Sequence, residues 1–352
     1  MRFGNYAMLR NMTRAPLAAT AASSDVFSAA GARQAEEVSL PSSAQMRRMS
    51  ASRLLVMHVA SALTQWPALP DAAEDTANID TIPPEAVHQL RIATRRLRAL
   101  IDIYSPWLKP RWHRRLVTEL RWLGHSMGPV RDADVLTTET LPTLRLEYPH
   151  VDWIAVDAHL SKVRTDARAQ AAAALTSDRQ RALHALLRDA FGVRDNGTAD
   201  ARAAKALRRP SRTPGKRPRA LAKHAHNILR ERYIGLFPDC RQLAMLDTEQ
   251  LHALRVKIKK ARYSAEALTP WLRKAVRLPY HETLRTAQTL LGHLNDAVVA
   301  QRALEDMPIS TEHRETLTGR LDAIIVNATS RAAHALCQLP DAHRLERGMR
   351  KA

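Results

Sequence analysis

The sequence predicts an all-α fold built from two pseudo-symmetric helical bundles that arose by internal duplication. Only 11 glycines and 5% aromatic residues occur in 352 residues, a composition that favours helices over strands. Apolar residues recur at helical spacing, and no segment alternates as a strand would. One segment also recurs at a fixed offset, which predicts an internal duplication.

The repeat has one register and no gap. Residues 87–100, VHQLRIATRRLRAL, match residues 251–264, LHALRVKIKKARYS, at an offset of 164. The same offset aligns the tripeptide that starts at Pro106 with the one that starts at Pro270. Between residues 88 and 135, 13 of 48 positions are identical. We therefore predict two copies of one helical unit.

These observations divide the chain into five segments. They are a disordered leader (1–43), a first helical half (44–193), a basic Pro-rich linker (194–217), a second helical half (218–342) and a tail (343–352). Residues 201–230 hold ten Lys or Arg and no acid, so we expect a flexible linker of a kind that often binds nucleic acid non-specifically.

The leader allows two interpretations. Residues 1–34 contain four arginines and a single acid, Asp25, which resembles a mitochondrial transit peptide. Arginine is abundant throughout the chain, however. That bias favours a disordered bacterial leader, or a start codon placed too far upstream.

In the first half we expect helices at 44–66, 84–104, 131–145 and 151–191. Pro83, Pro84 and Glu85 suit the first turn of the second of these helices, and Pro106 ends it. The helix that follows carries one apolar stripe, formed by Trp112, Leu116, Leu120, Leu123 and Met127. Gly128 and Pro129 should then stop that helix, with the glycine in the C′ position.

In the second half we expect helices at 218–236, 295–306 and 311–338, besides the repeat helix and its neighbour. Asp247 and Gln250 have the spacing of a capping box at the start of the repeat helix. The neighbouring helix carries its apolar stripe on Val276, Tyr280, Leu284, Ala287 and Leu291.

Charge and cysteine content limit the function classes. The 54 Lys and Arg against 35 Asp and Glu leave a net charge of +19, which attracts nucleic acid, an anionic membrane surface or polyphosphate. No run of 18 apolar residues occurs, which excludes a membrane-spanning helix. Cys240 and Cys337 form neither a CxxC pair nor a disulfide framework, so we expect a reduced, intracellular protein.

The repeated helix carries the candidate chemistry. At 100° per residue, one narrow stripe holds His88, Arg91, Arg95 and Arg98, and the apolar residues fall on the opposite face. The second copy repeats the stripe with His252, Arg255, Lys259 and Arg262. Successive members rise by roughly 4.5–6 Å, which suits a chain of phosphates. Stacked like charges destabilise an isolated helix, so we predict a bound anion; the alternative is a solvated basic face.

Other candidates are weaker. Arg121 and Arg285 either flank the anion or are ordinary surface residues. Asp132, Asp134 and Asp296 follow a predicted helix stop, where capping or pairing is favoured over catalysis. No phosphate loop, HExxH motif or Cys/His cluster occurs, so we expect no catalytic residues, no metal and no cofactor.

Four motifs resemble those of the CHAD domain, the conserved histidine α-helical domain. They are HxLRxxxRRxR at residues 88–98, GxxRDxDV at 128–135, HxLRxKxKKxRY at 252–263 and GxxND at 292–296. The resemblance spans roughly residues 44–340. It implies two helical bundles around a basic channel that binds inorganic polyphosphate, and association with polyphosphate granules in the cytoplasm.

The resemblance implies a binding set, to which we add the two flanking arginines. The set is His88, Arg91, Arg95, Arg96, Arg98, Arg121, His252, Arg255, Lys257, Lys259, Lys260, Arg262 and Arg285. No ExExK motif of a CYTH-type triphosphatase occurs, so we expect a stand-alone binding protein rather than an enzyme. Ala261, Asn295 and Lys257 depart from the pattern and leave equal participation of the halves open.

Two alternatives remain. The first is a non-specific nucleic-acid-binding protein that uses the basic linker. The second is a phosphate-chain enzyme that uses His88 and His252.

Overall fold

The structure is a computed structural model that describes residues 41–67, 84–194, 196–208, 216–236, 240, 242–339 and 342–349. The transit-peptide signal of residues 1–34 lies outside the described residues, as does Pro83. Of the predicted linker, residues 209–215 also lie outside them.

The first half contains eight described α-helices. They are α1 (Ser43–Arg48), α2 (Ala51–Leu63), α3 (Pro84–Ile103), α4 (Pro110–Ser126), α5 (Gly128–Val135), α6 (Leu141–Glu147), α7 (Trp153–Leu175) and α8 (Asp178–Phe191). The second half contains α9 (Lys216–Ile234), α10 (Thr248–Ala267), α11 (Lys274–Asp306), α12 (Thr311–Leu336) and α13 (Ala342–Gly348). The described residues contain isolated bridges but no strand, which confirms the all-α prediction.

The two repeat helices keep the offset of the sequence repeat. Helices α3 and α10 begin 164 residues apart and also end 164 residues apart. A short 3₁₀ turn follows each, at Ser105–Trp107 and at Thr269–Trp271, with the same offset. Descent of the two halves from a duplication stays a prediction.

Local sequence explains where these helices start and which face they bury. The capping box predicted for α10 is confirmed: Gln250 N donates to Asp247 Oδ1 at 2.8 Å, and Asp247 N donates to Gln250 Oε1 at 3.0 Å. On α3 the face opposite the cationic stripe is buried, as predicted, through Leu90, Ala93, Leu97, Leu100 and Ile101.

Serine caps divide two segments that we predicted as single helices. The prediction at 44–66 is wrong because Ser50 accepts from Arg53 N and starts α2 anew. The prediction at 151–191 is wrong because Ser177 accepts from Gln180 N and starts α8. A serine hydroxyl satisfies an N–H that a helix start leaves without a partner.

The two halves differ after the apolar stripe. Helix α4 ends at Ser126 and α5 begins at once, with Pro129 in its first turn, so Gly128 is helical rather than a C′ glycine. In the second half α11 runs unbroken to Asp306, so the separate helix predicted at 295–306 is wrong. His293 occupies the position equivalent to Pro129, and its backbone keeps the N–H that a proline lacks.

A π-helical turn, Leu136–Thr140, joins α5 to α6. Pro142 follows in the first turn of α6 and cannot donate to the preceding turn. The hydroxyls of Thr137 and Thr138 donate to the carbonyls of Ala133 and Asp134, at 2.8 Å each, and so satisfy carbonyls that the wide turn leaves exposed.

Part of the predicted linker packs on the first half. Lys109 N donates to Ala206 O at 2.9 Å, and Ala206 is fully buried. Gly192, at φ 64°, makes this return possible, because a Cβ there would lie 2.3 Å from Asp200 O. The predicted tail likewise contains α13, and Arg273 N donates to Gly348 O at 2.8 Å.

Two groups of buried apolar residues hold the helices of residues 42–352 together. The larger group contains residues of α2, α3 and α4 as well as α9, α10 and α11, so it spans both halves. The smaller group joins α6 and α7 to α11 and α12. The larger group keeps α3 and α10 in direct contact. No helix in the described part of the chain is both long and apolar enough to span a membrane.

Candidate functional site

The packing of α3 against α10 brings the two cationic stripes together. Arg91 and Arg95 of α3 and Arg255 and Lys259 of α10 lie within electrostatic reach of one another. We call these four residues the cationic cluster. The sequence predicted all four, and the structure unites stripes that are 164 residues apart along the chain.

The buried faces of the two helices orient the cluster. Leu90 and Leu254 are both fully buried. The next residue along each helix, Arg91 or Arg255, is therefore half-buried. Arg91 Nη1 also donates to Met127 O at 2.9 Å, the carbonyl between α4 and α5. An uncharged backbone carbonyl thereby anchors the guanidinium of Arg91 without neutralising its charge.

Burial, together with neighbouring cations, lowers the pKa values of Arg91, Arg255 and Lys259. Burial is the main cause for Arg91 and for Arg255, and neighbouring guanidinium groups add to it. For Lys259, burial and then Arg255, Arg95 and Arg91 lower the pKa to about 7, while Asp296 opposes the shift. The ammonium form of Lys259 is therefore less stable in the free protein than that of an exposed lysine.

Two carboxylates from facing helices oppose part of this charge. Asp132 of α5 acts on Arg91 and Arg255, and Asp296 of α11 acts on Arg255 and Lys259. Burial raises the pKa of Asp296, and the nearby Arg255 opposes that rise. Both acids lie inside helices, so of the two predicted roles, capping and pairing, capping is wrong for them.

Arg131 is a cation of this site that the predicted set omits. Its charge acts on Arg91, Asp132 and Asp296, and its Nη2 lies 3.1 Å from Oε1 of Glu139 in the π-helical turn. The motif GxxRDxDV contained the signal, since Arg131 and Asp132 are its central pair.

Two guanidinium groups of the cluster have N–H donors without a protein acceptor. The Nε atoms of Arg95 and Arg255 are buried and have no hydrogen-bond partner among the described residues. A buried donor without an acceptor costs about 1–3 kcal/mol. An anion in contact with both helices would accept from these donors and remove that cost.

Further cationic residues of the first half lie outside the cluster. Burial and the nearby Arg121 lower the pKa of Arg98, which places these two predicted residues side by side. Gly124 leaves room there, since a Cβ on it would lie 3.7 Å from Arg98 Nη1. His88 is exposed at the start of the α3 stripe, and on α10 His252 Nδ1 donates to Asn295 Oδ1 at 3.2 Å.

Several predicted residues lie elsewhere. Arg96 is exposed and donates to Gln65 after α2, on another side of α3. Arg262 contacts Glu266 at 3.5 Å and stacks over Tyr263, and its Nε is a further buried donor without a partner among the described residues.

The second half contributes less than the repeat suggests. Arg285 pairs with Glu282 at 2.8 Å and is two-thirds exposed, at 67%, so it does not mirror Arg121. Lys257 and Lys260 are both exposed, away from the buried seam of α10. The structure thus joins α3 and α10 at four central cations rather than along their whole stripes.

Among the described residues, no group of three or more His, Cys, Asp or Glu is arranged to hold a metal ion. In the same part of the chain neither His88 nor His252 is paired with a carboxylate. The site is therefore a surface of cationic hydrogen-bond donors with two acids beside it.

Comparison with known proteins points to one family. The model of the CHAD domain family matches residues 58–305. The fold is similar to the crystal structure of the CHAD domain from the plant Ricinus communis, with a TM-score of 0.53 and 24% identity over 81% of this chain and 92% of that one. It is also similar to PptA from Streptomyces chartreusis, with a TM-score of 0.57 and 20% identity over 83% of this chain and 99% of that one. No curated protein matches the sequence.

Proposed function

The chain belongs to the CHAD domain family, and from that premise we propose that it binds inorganic polyphosphate at the cationic cluster without chemical conversion. One observation carries the proposal: Arg91, Arg95, Arg255 and Lys259 converge from two helices although their like charges repel. Such an arrangement is unfavourable in the free protein and becomes favourable when a polyanion lies between the helices.

The charges suit a polymer better than a single small anion. Arg91, Arg95, Arg131, Arg255 and Lys259 supply five cationic groups, against the three carboxylates of Asp132, Glu139 and Asp296. Each internal phosphate of a polyphosphate chain carries about one negative charge, so more than one phosphate is needed to offset the surplus. The nearby acids would repel one compact, highly charged anion held beside them.

The donors fit phosphate oxygens. Guanidinium groups offer up to five N–H donors in a fixed plane, and charge-assisted bonds to phosphate are about twice as strong as neutral ones. The Nε atoms of Arg95 and Arg255, one on each repeat helix, are buried and have no acceptor among the described residues, which supports a role as donors. We infer that one polyphosphate segment accepts from both of these atoms.

The path of the polymer follows the rest of the stripe. Arg98 and Arg121 extend the cationic surface along the first half, and His88 lies at its other end. On α10 the polymer would meet His252, which Asn295 orients. We propose that Arg96 and Arg285 contribute only through their long-range charge.

A binding role without catalysis is the simplest use of this chemistry. Hydrolysis or transfer of a phosphoryl group needs a positioned base or a metal ion. His88 and His252 lack a carboxylate partner in the described part of the chain. If purified protein with Mg²⁺ shortened polyphosphate chains, this part of the proposal would be wrong.

The test compares two double variants that remove equal charge. Arg91→Glu/Arg255→Glu reverses two cluster residues, and Arg96→Glu/Arg285→Glu reverses two residues outside the cluster. Binding of long-chain polyphosphate is measured by calorimetry at one fixed ionic strength. We expect the cluster variant to bind at least about 100-fold more weakly and the control variant to stay within about fivefold of the wild type.

Equal loss in both variants would mean that binding depends on overall charge and not on the cluster, and would contradict the proposal. Competition with DNA at equal phosphate concentration tests the nucleic-acid alternative, which requires DNA to compete effectively and with a steep salt dependence. Co-localisation of a fluorescent fusion with polyphosphate granules tests the proposed cellular location.

A further inference from the structure

A groove between α7 and the π-helical turn is lined by none of the four residues of the cationic cluster. Its volume is about 360 Å³, which falls within the range of small-molecule sites. Side chains of one face of α7 line it, together with Thr137 from the π-helical turn. π-helical turns are rare and occur often at functional sites, which makes this groove a candidate independent of the family resemblance.

One end of the groove is cationic. Arg164 Nε donates to Asp134 Oδ1 at 3.0 Å, and Arg168 Nη2 lies 3.7 Å from the same oxygen. The shared carboxylate holds both guanidinium groups in position and neutralises only one of their two charges. Both arginines are about one-third exposed, at 34% and 31%, so their remaining N–H groups can reach a ligand.

The other end offers hydrogen-bond acceptors. The hydroxyl of Thr165 donates to Ser161 O at 2.9 Å, and that of Thr137 donates to Ala133 O at 2.8 Å. Since these protons are committed to helix carbonyls, the hydroxyl oxygens present lone pairs. Asp157 adds a half-exposed carboxylate that Arg145 Nη1 holds at 2.9 Å.

The order of these groups along α7 selects the ligand. Asp157 and Ser161 lie N-terminal to Arg164 and Arg168 on α7. At a rise of 1.5 Å per residue, Asp157 and Arg168 are about 16 Å apart along the helix axis. A phosphate at the arginines would leave the rest of a ligand beside acceptors. Arg145 donates to both oxygens of Asp157 and offsets its charge, so this end of the groove offers acceptors for hydroxyl groups, which a polyol has and an internal phosphate of polyphosphate lacks.

We propose that this groove binds a phosphate monoester of a polyol, with the phosphate on Arg164 and Arg168 and the hydroxyls directed to Asp157 and the threonine oxygens. Sugar phosphates and nucleoside monophosphates share this chemistry. None of the residues that line this groove belongs to the cationic cluster, so substitutions at the two sites can test the two proposals separately.

The experiment is calorimetric titration of the full chain with ribose 5-phosphate, glucose 6-phosphate, AMP and orthophosphate. At least one of the three esters binds with submillimolar affinity and at least tenfold more tightly than orthophosphate. Arg168→Gln weakens that binding at least tenfold, whereas Lys162→Gln, on the opposite face of α7, changes it less than twofold.

Two further measurements make the result specific. Asp157→Asn reduces the preference for the ester over orthophosphate and leaves orthophosphate binding unchanged. Arg168→Gln keeps the melting temperature within a few degrees and the affinity for polyphosphate within twofold.

Four outcomes overturn the proposal. The first is no binding heat with any ester at about 10 mM. The second is equal affinity for ester and orthophosphate. The third is ester binding that Arg168→Gln leaves unchanged, and the fourth is loss of polyphosphate binding in Arg168→Gln. The last would assign Arg168 to the polyphosphate surface. Among the esters, preference for AMP over the two sugar phosphates indicates that the base is also recognised.

Discussion

Lys259 shows how a single residue can make binding depend on pH. It lies among Arg91, Arg95 and Arg255, with Asp296 as the opposing charge, and its pKa is lowered to about 7. A bound phosphate chain would stabilise the ammonium form and raise that pKa. Binding should therefore take up a proton near neutral pH, by the linkage between charge and affinity.

We expect polyphosphate affinity to fall about tenfold between pH 6 and pH 8, because the free amine must be protonated on binding once the pH exceeds about 7. The experiment is done in a His88→Gln/His252→Gln background, so that neither imidazole of the predicted binding set contributes to the proton uptake. Calorimetry in two buffers of different ionisation enthalpy measures the proton uptake.

In that background, Lys259→Gln should remove the pH dependence. Lys260→Gln, the adjacent exposed lysine, should retain it. A pH profile that Lys259→Gln leaves unaltered would assign the proton to another group.

At the scale of the element, helix starts position the site. The capping box of α10 fixes the first turn of the helix that carries Arg255 and Lys259. In the first half, Pro129 ends the continuous helix that the second half retains, so α5 starts anew and carries Arg131 and Asp132 toward α3. Asp132 and Asp296 thus face the cluster from both halves, whereas the residue before each of them differs, Arg131 in the first half and Asn295 in the second.

Asp247→Ala should lower the free energy of unfolding by about 1 kcal/mol, because Gln250 N loses the carboxylate oxygen that accepts from it at the start of α10. Asp247→Ser, whose hydroxyl also caps, should stay within about 0.5 kcal/mol of the wild type. Urea unfolding measures both. Affinity for polyphosphate should change less than twofold in either variant; a larger change would mean that the cap also sets the position of the cluster.

At the scale of the whole molecule, the larger apolar core joins α3 and α10 and thereby holds like charges together. Burial of apolar surface supplies the free energy that offsets this repulsion in the free protein. A polyanion that binds only the folded chain should therefore stabilise both halves at once.

Long-chain polyphosphate at about 100 times its dissociation constant should increase the free energy of unfolding by about 2.7 kcal/mol. Thermal unfolding with and without the polymer measures this increase. Arg91→Glu/Arg255→Glu should show little stabilisation at the same concentration, and Arg96→Glu/Arg285→Glu should keep most of it. Stabilisation of equal size in both variants would indicate binding outside the cluster.

The sequence by itself determined the helical class, the bounds of α3 and the capping box of α10. It also determined which face of each repeat helix is apolar and which is cationic, because the angle between residues on one helix depends only on their spacing. Some features of the structure also have local signals in the sequence that the predictions did not include. Ser50 and Ser177 stand where caps divide helices, and Glu282 precedes Arg285 by three residues, a spacing that favours their ion pair.

Only the tertiary structure decided which cations converge. Arg91 and Arg95 meet Arg255 and Lys259 because apolar packing sets α3 against α10. The spacing of residues within either helix does not predict that contact. The same packing brings Asp132 and Asp296 to the cluster and leaves Arg285 outside it. Charge interactions act through space, so the neighbours that set the pKa of Lys259 are fixed by the packing of helices and not by their order along the chain.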